Sequence, residues 1–577
     1  MDRRTLLAFA LSMMVFVTYL TYSGEQRARI ALEAEQNRLA EEVEAEANRD
    51  HATADDASVV ADDSRRGMSA VAALDAQASG AVADQPTAQS AQVIPLVSTT
   101  IRNTQVVAMI SNGPALIESW KLLDFGERLP TGEIPIELVD PEQPVLMTEV
   151  GGVAGASFEK ARFEVIGQTD REVVQRAQNG AGVLTRTIRL DEEGYGFDLE
   201  LVFESARRDP VDASFELFWP ASTSTRRDFK EMSLLAFGEE NGVTRSLVPG
   251  VGQPGFLGLG GSDDGIERIE GRSQWMGFDI QYFAGVVIDT ADKPRLDVEF
   301  EAIEPGESAM AWATLPSMAV GAGGSIDESL RGFLGPKLPS ALAVSGQGLE
   351  HSVDRGWSWL EPLTRFFEIA LDWLYVVIPN YGFAIIVLTI LVRIFTAPLM
   401  VRQMKSAERM REVQPQLKEL QERYKDDKQK QSEEMMKFYR EEGVNPLAGC
   451  LPLILQFPVL IGLFYALRSS IGLRHAPFVF WIDDLSQPAT LFTMPGVDFP
   501  VRVLPLIMGA SMYVQQKMMP QTSMDPAQVR MMQIMMPGMM LLISYTFPSG
   551  LVLYWTVSNL LGIAHQYWIR SQRQQAS

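Results

Sequence analysis

The chain contains a single cysteine, Cys450, among its 577 residues. No disulfide can therefore form within it, and cysteine usage does not indicate a redox compartment. Its four histidines are scattered without ligand spacing, and no HExxH motif occurs: His51, His351, His475 and His565. These absences argue against zinc hydrolysis and predict neither a metal site nor a cofactor.

Phosphate-binding signatures are missing as well. No Walker motif is present, and the glycine-rich stretch at 258–261 is typical of a plain turn. Residues 25–350 carry roughly twice as many acidic as basic side chains, which argues against nucleic acid because phosphate binding needs a basic face. No nucleophile motif occurs in this region either. The chain is therefore not expected to be an enzyme.

The N-terminal segment, residues 1–23, places Arg3 and Arg4 before an apolar stretch. Its length approaches that of a membrane span. A cleaved signal peptide begins in a similar way, but no small-x-small cleavage site follows here. We therefore predict an uncleaved signal anchor, with cleavage as the alternative. The two arginines predict a cytoplasmic N-terminus.

Two further regions precede the apolar half of the chain. Residues 24–92 are rich in Ala, Glu, Asp, Gln and Ser, and this composition predicts a disordered acidic linker. Residues 93–345 alternate apolar and polar side chains in short stretches separated by Gly and Pro, as at 182–190, 197–203 and 296–302. This pattern predicts an all-β sandwich. Whether its surface binds partners is left open.

From residue 366 onward, long apolar runs alternate with charged loops. Five spans are predicted, each near the roughly 20 residues that cross a bilayer: 371–400, 447–467, 503–518, 531–547 and 551–569. Together with the anchor they predict six transmembrane helices, five of them forming a core over 368–570. Before the core, the aromatic and charged residues at 349–367 predict an amphipathic helix at the membrane interface.

The loops predict the orientation of this membrane half. Lys and Arg are abundant in the loop 402–443, sparse in the loop 468–500, and present again in the tail 571–577. Positive residues face the cytoplasm, so both termini are predicted inside and the β-domain outside. The charges in 402–443 have helical spacing and predict a helical hairpin joined near Asp426 and Asp427. This hairpin is either a topological determinant or a docking surface for ribosomes or substrates.

Arg393 lies within an apolar run, about 14 Å along the helix from the first basic loop residue, Arg402. A guanidinium at that depth costs about 3 kcal/mol or more unless it faces water or a partner. No Asp or Glu lies well inside the later spans, which argues against coupled ion transport. Neutral polar residues recur instead, and they predict a hydrated cavity open to the cytoplasm. The alternative is an arginine that extends to the headgroups.

Several stretches together resemble the YidC family of membrane protein insertases. The similarity is specific over residues 357–570, whereas the β-domain matches in placement and character. The matching stretches are Tyr381-Gly-Phe, the Arg393 segment, Asp426-Asp-Lys-Gln, Asn445-Pro-Leu-Ala-Gly-Cys-Leu-Pro452, Gln456-Phe-Pro and Phe547-Pro-Ser-Gly-Leu-Val-Leu-Tyr-Trp-Thr-Val-Ser-Asn559.

The resemblance implies a protein that inserts and helps fold inner-membrane proteins, alone or with the Sec translocon, through a hydrophilic groove and without nucleotide hydrolysis. Its partners would be nascent membrane proteins, Sec components, the lipid bilayer and ribosomes at the cytoplasmic loops. Substrates would slide between the helices that carry Thr389 and Tyr554-Trp555, although Trp555 departs from a tyrosine pair common in the family. The predicted groove residues are Arg393, Thr389, Gln456, Gln515, Gln533, Tyr554, Trp555 and Ser558.

Two other functions remain open from the residues. A solute channel or transporter would conduct solute and would not contact nascent chains. An envelope assembly scaffold would depend on the β-domain, whereas an insertase would retain most activity without it.

Overall fold

The computed structural model describes residues 94–577, except 130–131, 155–156, 224–231, 239, 241, 252–264, 305, 426, 444–450, 495–498, 519–525 and 577. The predicted anchor at 1–23, the predicted linker at 24–92 and the turn at 258–261 lie outside the described residues.

The β-domain contains two large antiparallel sheets among these residues. The first has the order β1-β2-β3-β5-β10-β17-β16-β13, with β4 beside β3 and β18 beside β10; the second has the order β12-β11-β14-β15-β19-β9-β8-β7-β6. The strands are β1 Ser98–Arg102, β2 Val106–Ser111, β3 Ala115–Leu129, β4 Gly132–Val139, β5 Val145–Gly151, β6 Glu164–Gln168, β7 Glu172–Gln178, β8 Gly182–Leu190, β9 Gly196–Ser205, β10 Val211–Ser222, β11 Ser233–Gly238, β12 Gly242–Leu247, β13 Ile266–Arg268, β14 Trp275–Asp279, β15 Phe283–Asp289, β16 Asp297–Glu304, β17 Ser308–Thr314, β18 Met318–Val320 and β19 Ser325–Pro336.

The period-two pattern of the sequence explains why the two sheets pack face to face. Along β8 the residues alternate between buried and half-buried until Arg189, which is exposed, so one face enters the core. That core joins side chains from both sheets, and the indole of Trp120 in β3 donates to the carbonyl of Leu334 in β19 at 2.9 Å. The predicted all-β sandwich is confirmed.

A short third layer covers the outer face of the second sheet. Helix α1, Pro339–Ser345, and a 3₁₀ turn, Leu349–Ser352, bury Leu342 and Leu349 against strand residues that include Trp275. An interfacial helix was predicted at 349–367, but the 3₁₀ turn occupies the start of that range. The helix in this part of the chain begins only at Glu361. Gly356 has a φ of +81°, a left-handed conformation that glycine favours, and the chain turns here before the next helix begins.

The remaining helices form the second part of the described chain. They are α2 Glu361–Val377, α3 Tyr381–Glu412, α4 Gln414–Arg423, α5 Lys428–Glu441, α6 Leu451–Ser469, α7 Val503–Met518, α8 Pro526–Ser544 and α9 Ser549–Ala576. A small hairpin, β20 Phe492–Met494 and β21 Phe499–Val501, precedes α7. The sequence pattern did not predict this hairpin.

The span predicted at 371–400 is divided between two helices, α2 and α3. The break follows from Pro379, because a proline disfavours helical geometry at the residue before it. Ile378 accordingly adopts an extended conformation and caps α2. At the other end, α3 continues past residue 400 to Glu412, so the first part of the predicted hairpin 402–443 belongs to α3. Helices α4 and α5 form the hairpin itself, and their connection includes Asp427.

The helices α2, α3, α6, α7 and α9 share one apolar core, which includes Phe367, Leu388, Leu463, Met508 and Val552. Within the described residues, one helix is long and apolar enough to cross a bilayer; this is α3, with its apolar stretch at Tyr381–Pro398. The part of α8 at Gln533–Ser544 is a shorter apolar helix.

Candidate functional site

Arg393 extends from α3 toward α9 and is half-buried between them. Its Nε and Nη2 atoms donate to the hydroxyl oxygen of Ser558 on α9, at 3.0 Å and 2.7 Å. Ser558 is 2% exposed. The guanidinium is therefore held on the inner side of the helix bundle.

The hydrogen bonds continue from Ser558 toward a third helix. Tyr554 lies one turn earlier on α9, where its hydroxyl interacts with Ser558. The amide of Gln456 on α6 donates to the Tyr554 hydroxyl at 2.9 Å. Residues 554 and 558 lie on one face of α9 because they are four positions apart. Helices α3, α9 and α6 are therefore connected through these side chains.

Gln515 on α7 adds a fourth helix to the site. A Cβ atom placed on Gly562 of α9 would lie 2.5 Å from the Gln515 amide nitrogen and 3.7 Å from Nη2 of Arg393. Glycine at 562 thus leaves space for the Gln515 side chain. We call Arg393, Gln456, Gln515, Tyr554 and Ser558 the Arg393 cluster; none of these five side chains carries a negative charge.

Gly562 was not predicted from the sequence. Gly562 lies four positions after Ser558, as Ser558 lies four positions after Tyr554, so all three lie on one face of the helix. This spacing is the signal that would have identified Gly562.

Thr389 lies one helical turn before Arg393 but does not join the cluster. It is 0% exposed, and its hydroxyl donates to the carbonyl of Ile385 at 2.6 Å. A substrate can reach Thr389 only if the helices packed over it separate.

Trp555 and Gln533, the other two predicted groove residues, make no described hydrogen bond with the Arg393 cluster. Trp555 is half-buried and packs against the apolar core of the helices. Gln533 is half-buried on α8, and no hydrogen bond described for the chain joins it to the cluster.

A second polar contact links α9 to α7. The Asn559 amide donates to the Ser511 hydroxyl at 3.2 Å, and that hydroxyl donates to the carbonyl of Met508. Nearby, the buried hydroxyl of Thr556 donates to the carbonyl of Val552. These short polar groups are satisfied inside the bundle, as buried polar groups must be.

The Arg393 cluster offers a cation and neutral hydrogen-bonding groups. Among the described residues, no group of His, Cys, Asp and Glu side chains has the arrangement of a metal site. The chemistry available at the cluster is the reversible binding of polar or acidic groups.

Two family models cover most of the chain. Residues 98–368 match the family described as YidC periplasmic domain, and residues 373–576 match the family described as 60Kd inner membrane protein.

Individual relatives agree with these family matches. The chain is 33% identical over 482 residues to a protein of Syntrophus aciditrophicus named membrane protein insertase YidC, which covers 81% of this chain and 83% of that protein. It is 34% identical over 395 residues to a protein of the same name from Aeromonas salmonicida, 68% of each chain. Among solved structures, it aligns with an active YidC insertase over 82% of this chain and 94% of that one, at 18% identity and a TM-score of 0.34. On the sequence relatives, this chain belongs to the YidC family of membrane protein insertases.

Proposed function

We propose that this chain inserts membrane proteins through a polar groove built around the Arg393 cluster. The observation that carries the proposal is the position of Arg393, whose guanidinium lies between α3 and α9 and is held by the Ser558 hydroxyl. A hydroxyl side chain rotates easily, so a substrate group can replace it as a partner at small cost. The proposal is further supported by the family, whose named relatives are insertases.

The groove lowers the barrier for a polar segment that must cross the bilayer. A polar group without a hydrogen-bond partner in hydrocarbon costs several kcal/mol. The amides and hydroxyls of the groove lower this cost because they supply partners. Arg393 attracts an acidic segment and provides a transient counter-charge. The apolar helix of the substrate then enters the lipid, and burial of its apolar surface drives insertion without nucleotide hydrolysis.

The proposed topology has six spans, with both termini in the cytoplasm and the β-domain in the periplasm of an inner membrane. The anchor at 1–23 is followed by the linker at 24–92, the β-domain at 93–345 and the five-helix core at 368–570, and the tail at 571–577 returns to the cytoplasm. Lys and Arg enrichment in 402–443 supports this orientation. In this arrangement the α4–α5 hairpin faces ribosomes and emerging chains, and the core works alone or beside the Sec translocon.

The proposed substrate path runs between α3 and α9. Thr389 is fully buried on α3, and Tyr554 on α9 is 1% exposed. In this proposal the described arrangement is the closed one, and both residues become accessible when the two helices move apart. Trp555 and Gln533 would line the opened path.

Charge substitution at Arg393 tests this function directly. In a strain depleted of its own insertase, we expect Arg393→Ala to lower insertion of a substrate with an acidic translocated tail about tenfold, the loss of one charge-assisted contact. Arg393→Lys keeps the charge and is expected to be milder. Lys517→Ala is the matched control, because Lys517 is an exposed cation on α7. Equal insertion by the wild type and all three variants would refute the role of the guanidinium.

Crosslinking tests the path. A photocrosslinker at Thr389 or Trp555 should form adducts with stalled membrane-protein nascent chains. The control position is Ile394, which is 65% exposed on the outside of α3. Adducts at Ile394 alone would place the substrate on the outer face of the bundle and exclude the path between α3 and α9.

A further inference from the structure

A short turn in the loop between α6 and α7 presents a large apolar side chain to the outside of the molecule. Phe480 is 87% exposed, and its neighbour Val479 is 36% exposed. We call residues 478–482 the Phe480 turn. In the proposed topology this loop faces outward, on the same side of the bilayer as the first residues of α3. An aromatic ring this exposed buries little of its apolar surface within the chain.

The backbone holds Phe480 in an unfavourable conformation. Its φ is +63°, in the left-handed region. Bulky residues rarely adopt this region because Cβ crowds the following carbonyl group, whereas glycine and asparagine tolerate it. Strained residues persist only where the surrounding structure imposes them, and they concentrate at functional sites. The strain at Phe480 therefore indicates a role for this side chain outside the fold.

Hydrogen bonds and burial attach the Phe480 turn to the bundle. The amide of Phe478 donates to the carbonyl of Ile482 at 2.8 Å, and the amide of Leu485 donates to the carbonyl of Ala476 at 3.0 Å. Ile482 and Leu485 are buried in the apolar core of the helices. The position of the exposed ring is therefore set by the bundle itself.

Phe478 packs the turn directly onto α3. Its ring meets that of Phe383 edge-on, with centroids 5.2 Å apart. A Cβ atom on Gly382 would overlap the Phe478 ring, so glycine at 382 permits this close approach. The Phe480 turn therefore continues the surface of α3 at the outer end of that helix.

The exposed face of α3 beside the turn is apolar. Phe383, Ile390 and Ile394 are exposed, and their spacing of seven and four places them on one face of the helix. The stretch Tyr381–Pro398 is long and apolar enough to cross a bilayer. In the proposed topology this face meets lipid, and the Phe480 turn lies where the face reaches the outer surface of the bilayer.

We propose that Phe480 anchors the outer end of the bundle in lipid, with its ring among the headgroups of the outer leaflet. The continuity of the Phe480 turn with the exposed apolar face of α3 favours lipid over a protein partner. Apolar side chains of surface segments bind at the boundary between headgroups and acyl chains. Asp483 is exposed three residues later and keeps the turn at this depth, because a carboxylate is costly in hydrocarbon. The anchor rests on the proposed topology but is separate from the Arg393 cluster.

Spin labels measure the position of Phe480 in a bilayer. The full chain is placed in nanodiscs of phosphatidylethanolamine and phosphatidylglycerol, with Cys450→Ser as the background because Cys450 is the only cysteine. Phe480→Cys carries the nitroxide. Collisions with oxygen, which concentrates in lipid, are compared with collisions with a water-soluble nickel chelate. We expect the oxygen-to-nickel ratio at 480 to lie several-fold above that of a site in water.

Two control positions set the scale. Ile166→Cys labels β6, the edge strand of the second sheet, where Ile166 is 53% exposed and is expected in water. Ile394→Cys labels the exposed face of α3 and is expected in lipid. A water-like ratio at 394 would refute the proposed topology. A lipid-like ratio at 394 with a water-like ratio at 480 would refute the anchor alone.

A photocrosslinker at Phe480 in the otherwise unchanged chain makes the test independent of the cysteine replacement. Phospholipid adducts, identified by mass, are expected. Adducts with a second copy of this chain or with another protein, in place of lipid, would overturn the proposal. So would a spin label at 480 that neither oxygen nor nickel reaches, because either result places protein over Phe480.

Phe480→Asn separates the ring from the backbone of the turn. Asparagine removes the apolar ring and suits the left-handed conformation. With a spin label at Val479→Cys, we expect Phe480→Asn to lower the oxygen-to-nickel ratio several-fold, to the value in water. Phe492→Asn is the matched control, since it removes an exposed ring from β20 in the same loop. An equal ratio at 479 with and without the Phe480 ring would show that the ring does not hold the turn in lipid.

Discussion

Arg186 in the β-domain and Arg393 in the helical part are both interior arginines, but they are held by different kinds of acceptor. Arg186 is 0% exposed. Its guanidinium donates to the side-chain oxygen of Gln175 and to the backbone carbonyls of Ser111, Gly113 and Pro114, at 2.6–3.0 Å. These acceptors belong to the neighbouring strand β7, to the end of β2 and to the turn after it.

Arg393 is only half-buried and binds a side-chain hydroxyl, that of Ser558. Backbone carbonyls cannot move without moving the turn that contains them, whereas a hydroxyl can rotate away. Arg186 is therefore part of the framework, whereas the contact between Arg393 and the Ser558 hydroxyl can be exchanged. The same residue type serves stability in one region and, in the proposed function, binding in the other.

Removal of each guanidinium provides the strongest test of this difference. Arg186→Met leaves buried carbonyls without a donor, and we expect unfolding to become easier by about 3–5 kcal/mol. Arg393→Met should change stability far less while lowering insertion. Thermal and urea unfolding of the full chain measure the first effect.

Arg189→Met is the control for Arg186→Met. Arg189 lies on the same strand, β8, but pairs with Glu172 at an exposed position. Little change in stability is expected. If Arg186→Met and Arg189→Met lost equal stability, the buried carbonyls left without a donor would not explain the loss in Arg186→Met.

Gly562→Ala tests the helical side with a smaller effect. The new Cβ would displace the Gln515 amide, which is the movable end of a flexible side chain. We expect insertion to fall several-fold, while stability changes by less than about 1 kcal/mol because alanine also favours the helix. Insertion assays and thermal unfolding of the same preparation measure both.

Gly538→Ala serves as the matched control, since a Cβ on Gly538 in α8 would meet nothing within 4 Å. If the two alanine variants inserted substrates equally well, the packing of Gln515 against Gly562 would have no role in the groove.

The smallest effect is expected for Glu216→Gln in the β-domain. Glu216 on β10 lies opposite Glu149 on β5. Burial raises the pKa of both carboxyl groups above 4.5. The folded state therefore binds protons more tightly, and stability is lost as pH rises from about 4.5 through the folded pKa. The glutamine variant should be slightly more stable at pH 7, with unchanged insertion.

Unfolding midpoints measured between pH 4 and 8 check this sign. The exposed Glu204→Gln on β9 is the control. A midpoint for Glu216→Gln that falls more steeply with pH than that of the wild type would contradict the assignment.

Local patterns in the sequence located several elements of the fold. The alternation at 182–190 corresponds to β8, and the apolar run at 503–518 corresponds to α7. The divided span at 371–400 was missed because α2 and α3 are both apolar, so composition does not reveal the turn at Pro379. The hairpin of β20 and β21 was missed because its strands have three residues each, too few for a periodic signal.

The sequence by itself determined the two-part organisation, the sandwich and the placement of an arginine within an apolar run, because these depend on the character and spacing of neighbouring residues. Only the tertiary structure decided that this arginine contacts Ser558, which is 165 positions away, and that Gln281 contacts Arg468 across 187 positions. Such pairs depend on the rotation and packing order of whole elements. Those are set by burial over the entire core, which no local stretch of sequence contains.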